Sequence, residues 1–97
     1  MQLLNVGYGN TVMADRIVAV INTGSSPARK LKELAKKNGK LLDVTEGRRT
    51  RSIIIMDSDH IVLSSVQTET IGQRMLALQT RYHLEDLVTA HKQKVSA

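Results

Sequence analysis

Ile53-Ile54-Ile55-Met56 and Ile61-Val62-Leu63 are apolar at consecutive positions and are separated only by Asp57-Ser58-Asp59-His60. Side chains of a strand point alternately to its two faces, so a run without alternation must be covered on both. Asp and Ser in the connector favour a tight polar turn, so the two runs read as adjacent strands, Ser52 to Met56 and His60 to Ser65. One long helix and part of another would blanket one face of such a pair. The other face is expected to meet a second copy of the chain, since exposed isoleucine strands aggregate.

The remaining elements follow from local signals. Leu3-Leu4-Asn5-Val6 reads as a strand ending in the turn Gly7-Tyr8-Gly9-Asn10, and Arg16 to Ile21 as a second strand rich in β-branched residues. Ser25-Ser26-Pro27 is a helix start, with a serine to cap free amides and a proline where its missing N–H costs nothing. The helix is predicted to run to Asn38, with Gly39 as its stop. Lys40 to Thr45 reads as a third strand, and a last helix is predicted to begin at Gln67 or Thr68, with Ile71, Met75, Leu78 and Tyr82 as its apolar stripe. The expected fold is α+β, ββαβββα, in one small domain over 1–80. Residues 81–97 are read as a helical extension or mobile tail.

Charge is concentrated in the middle of the chain. Nine of the fourteen lysines and arginines, but three of the nine acidic residues, lie between Arg29 and Arg51. Three of them, Arg48, Arg49 and Arg51, sit on the loop Glu46-Gly47-Arg48-Arg49-Thr50-Arg51 that feeds into Ser52. Arginine's planar fork matches a phosphate or a guanine edge with two bonds, so a scaffolded loop of three points to duplex DNA. A solvated turn, with one arginine paired to Glu46 or Asp43, is the plainer alternative. Arg16 would join the loop on a common face or pair locally with Asp15. Arg29, Lys30, Lys36 and Lys37 offer either a soluble helix face or secondary phosphate contacts. An acidic protein docking on the arginine loop is the rival partner.

Other classes are poorly served. Tyr8 and Tyr82 are the only aromatic residues, too few to stack unpaired bases. Gly7-Tyr8-Gly9 lacks the third glycine of a dinucleotide loop, since Val12 stands in its place. There is no cysteine, Asp57 and Asp59 lack the further oxygen ligands of a calcium loop, and His60, His83 and His91 have no partners at metal-ligand spacing. No cofactor, metal or catalytic set is expected, and no apolar run approaches a bilayer span. The chain reads as cytoplasmic.

Together, Asn5-Val6-Gly7-Tyr8-Gly9-Asn10, Ser26-Pro27, Gly47-Arg48-Arg49-Thr50-Arg51, Ile55-Met56-Asp57-Ser58-Asp59-His60 and Leu63-Ser64-Ser65-Val66-Gln67 resemble the RemA family of bacterial DNA-binding regulators of extracellular-matrix and biofilm genes. The resemblance covers about Leu3 to Leu76. It implies a transcriptional activator without enzymatic activity and a ring-like homo-oligomer that bends duplex DNA. By position it carries DNA contact to Arg16, Arg48, Arg49 and Arg51. It makes Pro27 a residue whose loss disturbs function, explained here by loss of the helix start, while Gly47 supports the loop.

Overall fold

The computed structural model describes residues 2–79. The strands are β1 (Leu3–Gly7), β2 (Asn10–Met13), β3 (Ile17–Asn22), β4 (Leu41–Asp43), β5 (Ser52–Met56) and β6 (Ile61–Ser64). A 3-10 turn, Ala14–Arg16, leads into β3, and helix α1 spans Ser26–Lys37 between β3 and β4. A second helix, α2, occupies 68–79 up to the last described residue. The fold is α+β, as expected. The added strand is β2, which pairs antiparallel with β1 and turns the Gly7–Asn10 segment into a hairpin loop. Gly7, Tyr8 and Gly9 all have positive φ there, and the Asn10 side-chain amide bridges back to the Gly7 carbonyl at 3.0 Å. Thr11-Val12-Met13 is too short and too mixed in polarity to announce a strand.

A four-stranded sheet has the order β3-β5-β6-β4. β5 runs antiparallel to both β3 and β6, whereas β4 joins parallel to β6. The Ile-rich runs are therefore its two central strands. Ile53, Ile61 and Leu63 face α1 and pack on Ala28 and Ala35. Ile54 and Val62 point the other way, onto Leu4 and Val6 of β1 and Ile71 of α2. Both faces are thus covered within one chain, and Ile54 is 0% exposed. The second face does not wait for another copy at these positions, because the unforeseen β1–β2 hairpin supplies the missing layer. Each such isoleucine contributes roughly 1.5–3 kcal/mol by burial.

Helix α1 begins and ends on its sequence signals. Ser25 Oγ accepts the Ala28 N–H at 3.1 Å, and Pro27 occupies the first turn. At the other end, the Lys40 N–H reaches the Ala35 carbonyl at 2.8 Å and the Gly39 N–H reaches Lys36 at 3.3 Å, across a Gly39 φ of +68°. These two bonds are a Schellman stop. Leu34, although at helical spacing from Leu31 and beside the buried Ala35, is 57% exposed.

At one end of the sheet two buried serines are paired across β5 and β6 and carry hydrogen bonds outward. Ser64 Oγ donates to the Val6 carbonyl at 2.7 Å, and Ser52 Oγ donates to the Val66 carbonyl at 2.8 Å. Both hydroxyls are satisfied, so their burial is not a penalty. They lock β1 and the approach to α2 onto the strand ends beside the arginine loop. Arg74 adds a tie from α2 to the Asn5 carbonyl at 2.9 Å.

Candidate nucleic-acid interface

The loop of residues 44–51 leaves β4 and returns in β5, and its shape is fixed at both ends by β6. The Val44 N–H donates to the Leu63 carbonyl at 3.1 Å, and the Arg51 N–H to the Ser64 carbonyl at 2.8 Å. Between these anchors, Asp43 Oδ1 accepts the Thr45 N–H at 2.9 Å and the Thr45 hydroxyl at 2.6 Å. Thr45 is buried, and its carbonyl accepts the Arg48 N–H at 3.0 Å. The turn so closed has positive φ at both central residues, 54° at Glu46 and 76° at Gly47. The left-handed region is costly for a residue with a Cβ, a cost that Glu46 bears and that glycine avoids at the second position. The two bonds from Thr45, the hydroxyl first, hold the Asp43 carboxyl below its ordinary value, with the charge of Lys32 adding to the shift and slight burial opposing it.

Arg48, Arg49 and Arg51 are all exposed, and none forms an ion pair among the described residues. Neither Glu46 nor Asp43 pairs with them. The backbone from 49 to 51 separates two hollows. On one side Arg49 and Arg51 line an open cleft of about 550 Å³ with Asn22, Thr23, Gln67, Thr68 and Glu69. Thr68 begins α2, and its Oγ1 is enclosed without a hydrogen-bond partner among the described residues. On the other side Thr50 lines a smaller hollow of about 180 Å³ with Thr23, Arg29 and Lys32.

The remaining predicted residues are placed differently. Arg16 precedes β3 at the end opposite the loop, since Ile17 pairs with Met56 whereas Asn22 pairs with Ser52. Five residue steps of strand take the chain from Ile17 to Asn22, about 17 Å at the usual rise. Arg16 therefore does not share a surface with the loop within one chain, and its partner is not Asp15. Its Nε donates to Asp57 Oδ1 at 3.1 Å and Oδ2 at 3.2 Å, and the Asp57 N–H returns to the Arg16 carbonyl at 2.9 Å. With both side chains about half exposed, such a pair contributes about 0–1 kcal/mol. Of the α1 cations, Arg29 adjoins the loop, while Lys30, Lys36 and Lys37 are exposed and line neither hollow. Glu33 makes no ion pair with Arg29 or Lys37 among the described residues. Pro27 is exposed in the first turn of α1, consistent with a role in starting the helix.

Lys32, Gln67 and Thr68 were not foreseen as neighbours of the loop. Lys32 lies one turn beyond Arg29 on the same helix, a spacing that places both on one side. Gln67 and Thr68 reach the loop only through the β5–β6 register, in which Ser52 faces Ser64. At the far end of the sheet, Asp57-Ser58-Asp59 forms the expected turn, closed by the Met56 N–H on the His60 carbonyl at 3.0 Å. His60 Nδ1 lies 2.7 Å from Ser58 Oγ, a contact within that turn. No group of three or more possible metal ligands occurs among the described residues, and no helix among them is long and apolar enough to cross a membrane.

The described residues thus form a small α+β domain that carries unpaired arginines on a hydrogen-bonded loop. The chain belongs to the RemA-like family, described as extracellular matrix regulatory protein A-like, whose model matches residues 3–75. It is 73% identical over 79 residues to a "Putative regulatory protein" of Desulfotalea psychrophila, covering 81% of this chain and 70% of that one. A regulatory protein of the same name from Thermodesulfovibrio yellowstonii is 62% identical over 73 residues, 75% of this chain and 86% of the relative. One from Kosmotoga olearia is 47% identical over 91 residues, 94% of this chain and 90% of the relative. A match of that length necessarily includes residues after Leu76, so similarity continues beyond the span of the family model. The family description and these names point to a regulatory role. The segment 81–97 lies outside the described residues.

Proposed function

We propose that this protein is a duplex-DNA-binding transcription regulator that acts as a multivalent homo-oligomer, with Arg48, Arg49 and Arg51 as its principal DNA contacts. The observation that carries the reading is Arg49 and Arg51 standing unpaired beside an open cleft, on a loop whose two ends are bonded to β6. A loop fixed in this way loses little conformational freedom on binding, so its cations are spent on the ligand rather than on ordering. Phosphate contacts of this kind position a duplex, and sequence choice then rests on a base contact by one arginine or on DNA bendability.

Repetition of the site supports useful affinity from a small surface. The exposed apolar residues Val18, Leu34 and Leu42, on or beside the open edges β3 and β4, offer contact surface for further copies in a ring-like assembly. Arg16, at the far end of each chain, would then add a second row of cations. Membership of a family described by extracellular-matrix regulation makes activation of matrix genes the leading biological role. The proposal includes no catalytic step and no cofactor.

Titration of fluorescent duplexes of several lengths at two salt concentrations, beside Arg49→Ala, tests the reading. Salt-sensitive binding that grows with length and is lost in the variant is the expected result. Absence of duplex binding by the wild-type protein at low salt would overturn it and turn attention to an acidic protein partner.

A further inference from the structure

We propose that Arg29 and Lys32, with the hydroxyls of Thr23 and Thr50, form a second phosphate subsite for the duplex held by the arginine loop. The inference rests on the DNA reading above and assigns a role to the hollow on the other side of the loop backbone.

Three observations carry it. Successive residues of the segment 49–51 face opposite ways, so Arg49 and Arg51 line one hollow and Thr50 the other, while Thr23 borders both. The two basic surfaces are therefore continuous across one ridge. Arg29 and Lys32 are set one helical turn apart on a helix fixed by the Ser25 cap and the Gly39 stop, so both cations stay on the loop side. Finally, the hollow has the size of a group-binding site, in which Gly24 and the buried Ala28 and Ile53 lie beside the two cations and two hydroxyls. Its volume of about 180 Å³ lies below the roughly 300–1,000 Å³ of small-molecule pockets, so it takes a phosphate group rather than a whole ligand. No carboxylate lines it, and neither cation forms an ion pair among the described residues. Asp43, the carboxylate that senses Lys32, already has Oδ1 engaged by Thr45.

Lys36 and Lys37 provide an internal control, since they carry the same charge on the same helix away from both hollows. The test measures duplex affinity against salt for wild type, Arg29→Ala/Lys32→Ala, Lys32→Gln alone, Lys36→Ala/Lys37→Ala and Arg49→Ala, with melting temperature and sedimentation recorded for each. Each lost phosphate contact lowers the slope of log affinity on log salt by about 0.9. Both cations address one phosphate, so the Arg29/Lys32 variant is expected to lose about 0.9 from the slope and Lys32→Gln a part of that. The Lys36/Lys37 control is expected to keep the wild-type slope.

Equal losses in the two double variants would reduce the effect to diffuse charge and overturn the subsite. A wild-type slope in Lys32→Gln, alongside lost binding in Arg49→Ala, would overturn the subsite alone. Failure of the wild-type protein to bind duplex would overturn the DNA reading with it.

Discussion

Asp43 Oδ1 accepts two hydrogen bonds from Thr45, one from its hydroxyl at 2.6 Å and one from its N–H at 2.9 Å. The pair sits where β4 gives way to the arginine loop, so a carboxylate outside the arginine set fixes the start of the segment that carries them.

Asp43→Ala leaves the buried Thr45 hydroxyl without its acceptor, and an orphaned buried polar group costs about 1–3 kcal/mol. Duplex affinity is expected to fall although every arginine remains. Unchanged affinity with an unchanged melting curve would show that the loop does not depend on this carboxylate.

The same bonds set an acid limit. Because the folded Asp43 pKa lies below its ordinary value of 3.8, the stabilisation is complete above that pH and is lost as pH falls through the folded pKa. Protection of the Thr45 and Arg48 amides from hydrogen exchange should hold through neutral and mildly acidic pH and fail only in stronger acid. In Asp43→Asn this acid-dependent loss should be absent.

Ile54 contacts the layers on its side of the sheet with no exposed surface. Ile54→Asp is expected to abolish cooperative folding, since it places an unpaired charge in that core at a cost of several kcal/mol. A folded, dispersed monomer by circular dichroism and sedimentation would contradict the burial argument.

Arg16→Ala should shift stability by less than about 1 kcal/mol, as befits an exposed pair. Asp57→Ala separates the two uses of Arg16. If the guanidinium serves DNA, freeing it raises affinity while Arg16→Ala lowers it; equal effects of both variants would make the pair purely structural.

Gly47→Ala meets no atom within 4 Å, yet it forces a Cβ into a φ of +76°. The strain alone is expected to cost about 1 kcal/mol, roughly 4–8 °C in Tm for a domain of this size. A melting temperature equal to wild type would mean that the turn can change its backbone.

Much of the fold was legible because local chemistry and tertiary need agreed. Ser25, Pro27 and Gly39 bound α1 as their types predict, and the unbroken isoleucine runs became central strands. β2 was hidden because Thr11-Val12-Met13 gains its pairing only from β1, and with it was hidden the layer that covers Ile54. The arginine loop was visible from composition and its glycine. Its neighbours were not, since Gln67, Thr68 and Thr23 meet it through strand register rather than through spacing along the chain. Arg16 shows the converse limit: its charge type invites grouping with the loop, but the length of β3 keeps it at the other end of the sheet.

The anchoring of the arginine loop on Leu63 and Ser64 also orders events during synthesis. A nascent chain released only as far as Met56 already carries all three loop arginines but lacks the strand whose carbonyls shape them. The finished shape of the loop therefore arises only with completion of the sheet, so a partly made or truncated chain does not hold the three arginines in their final arrangement.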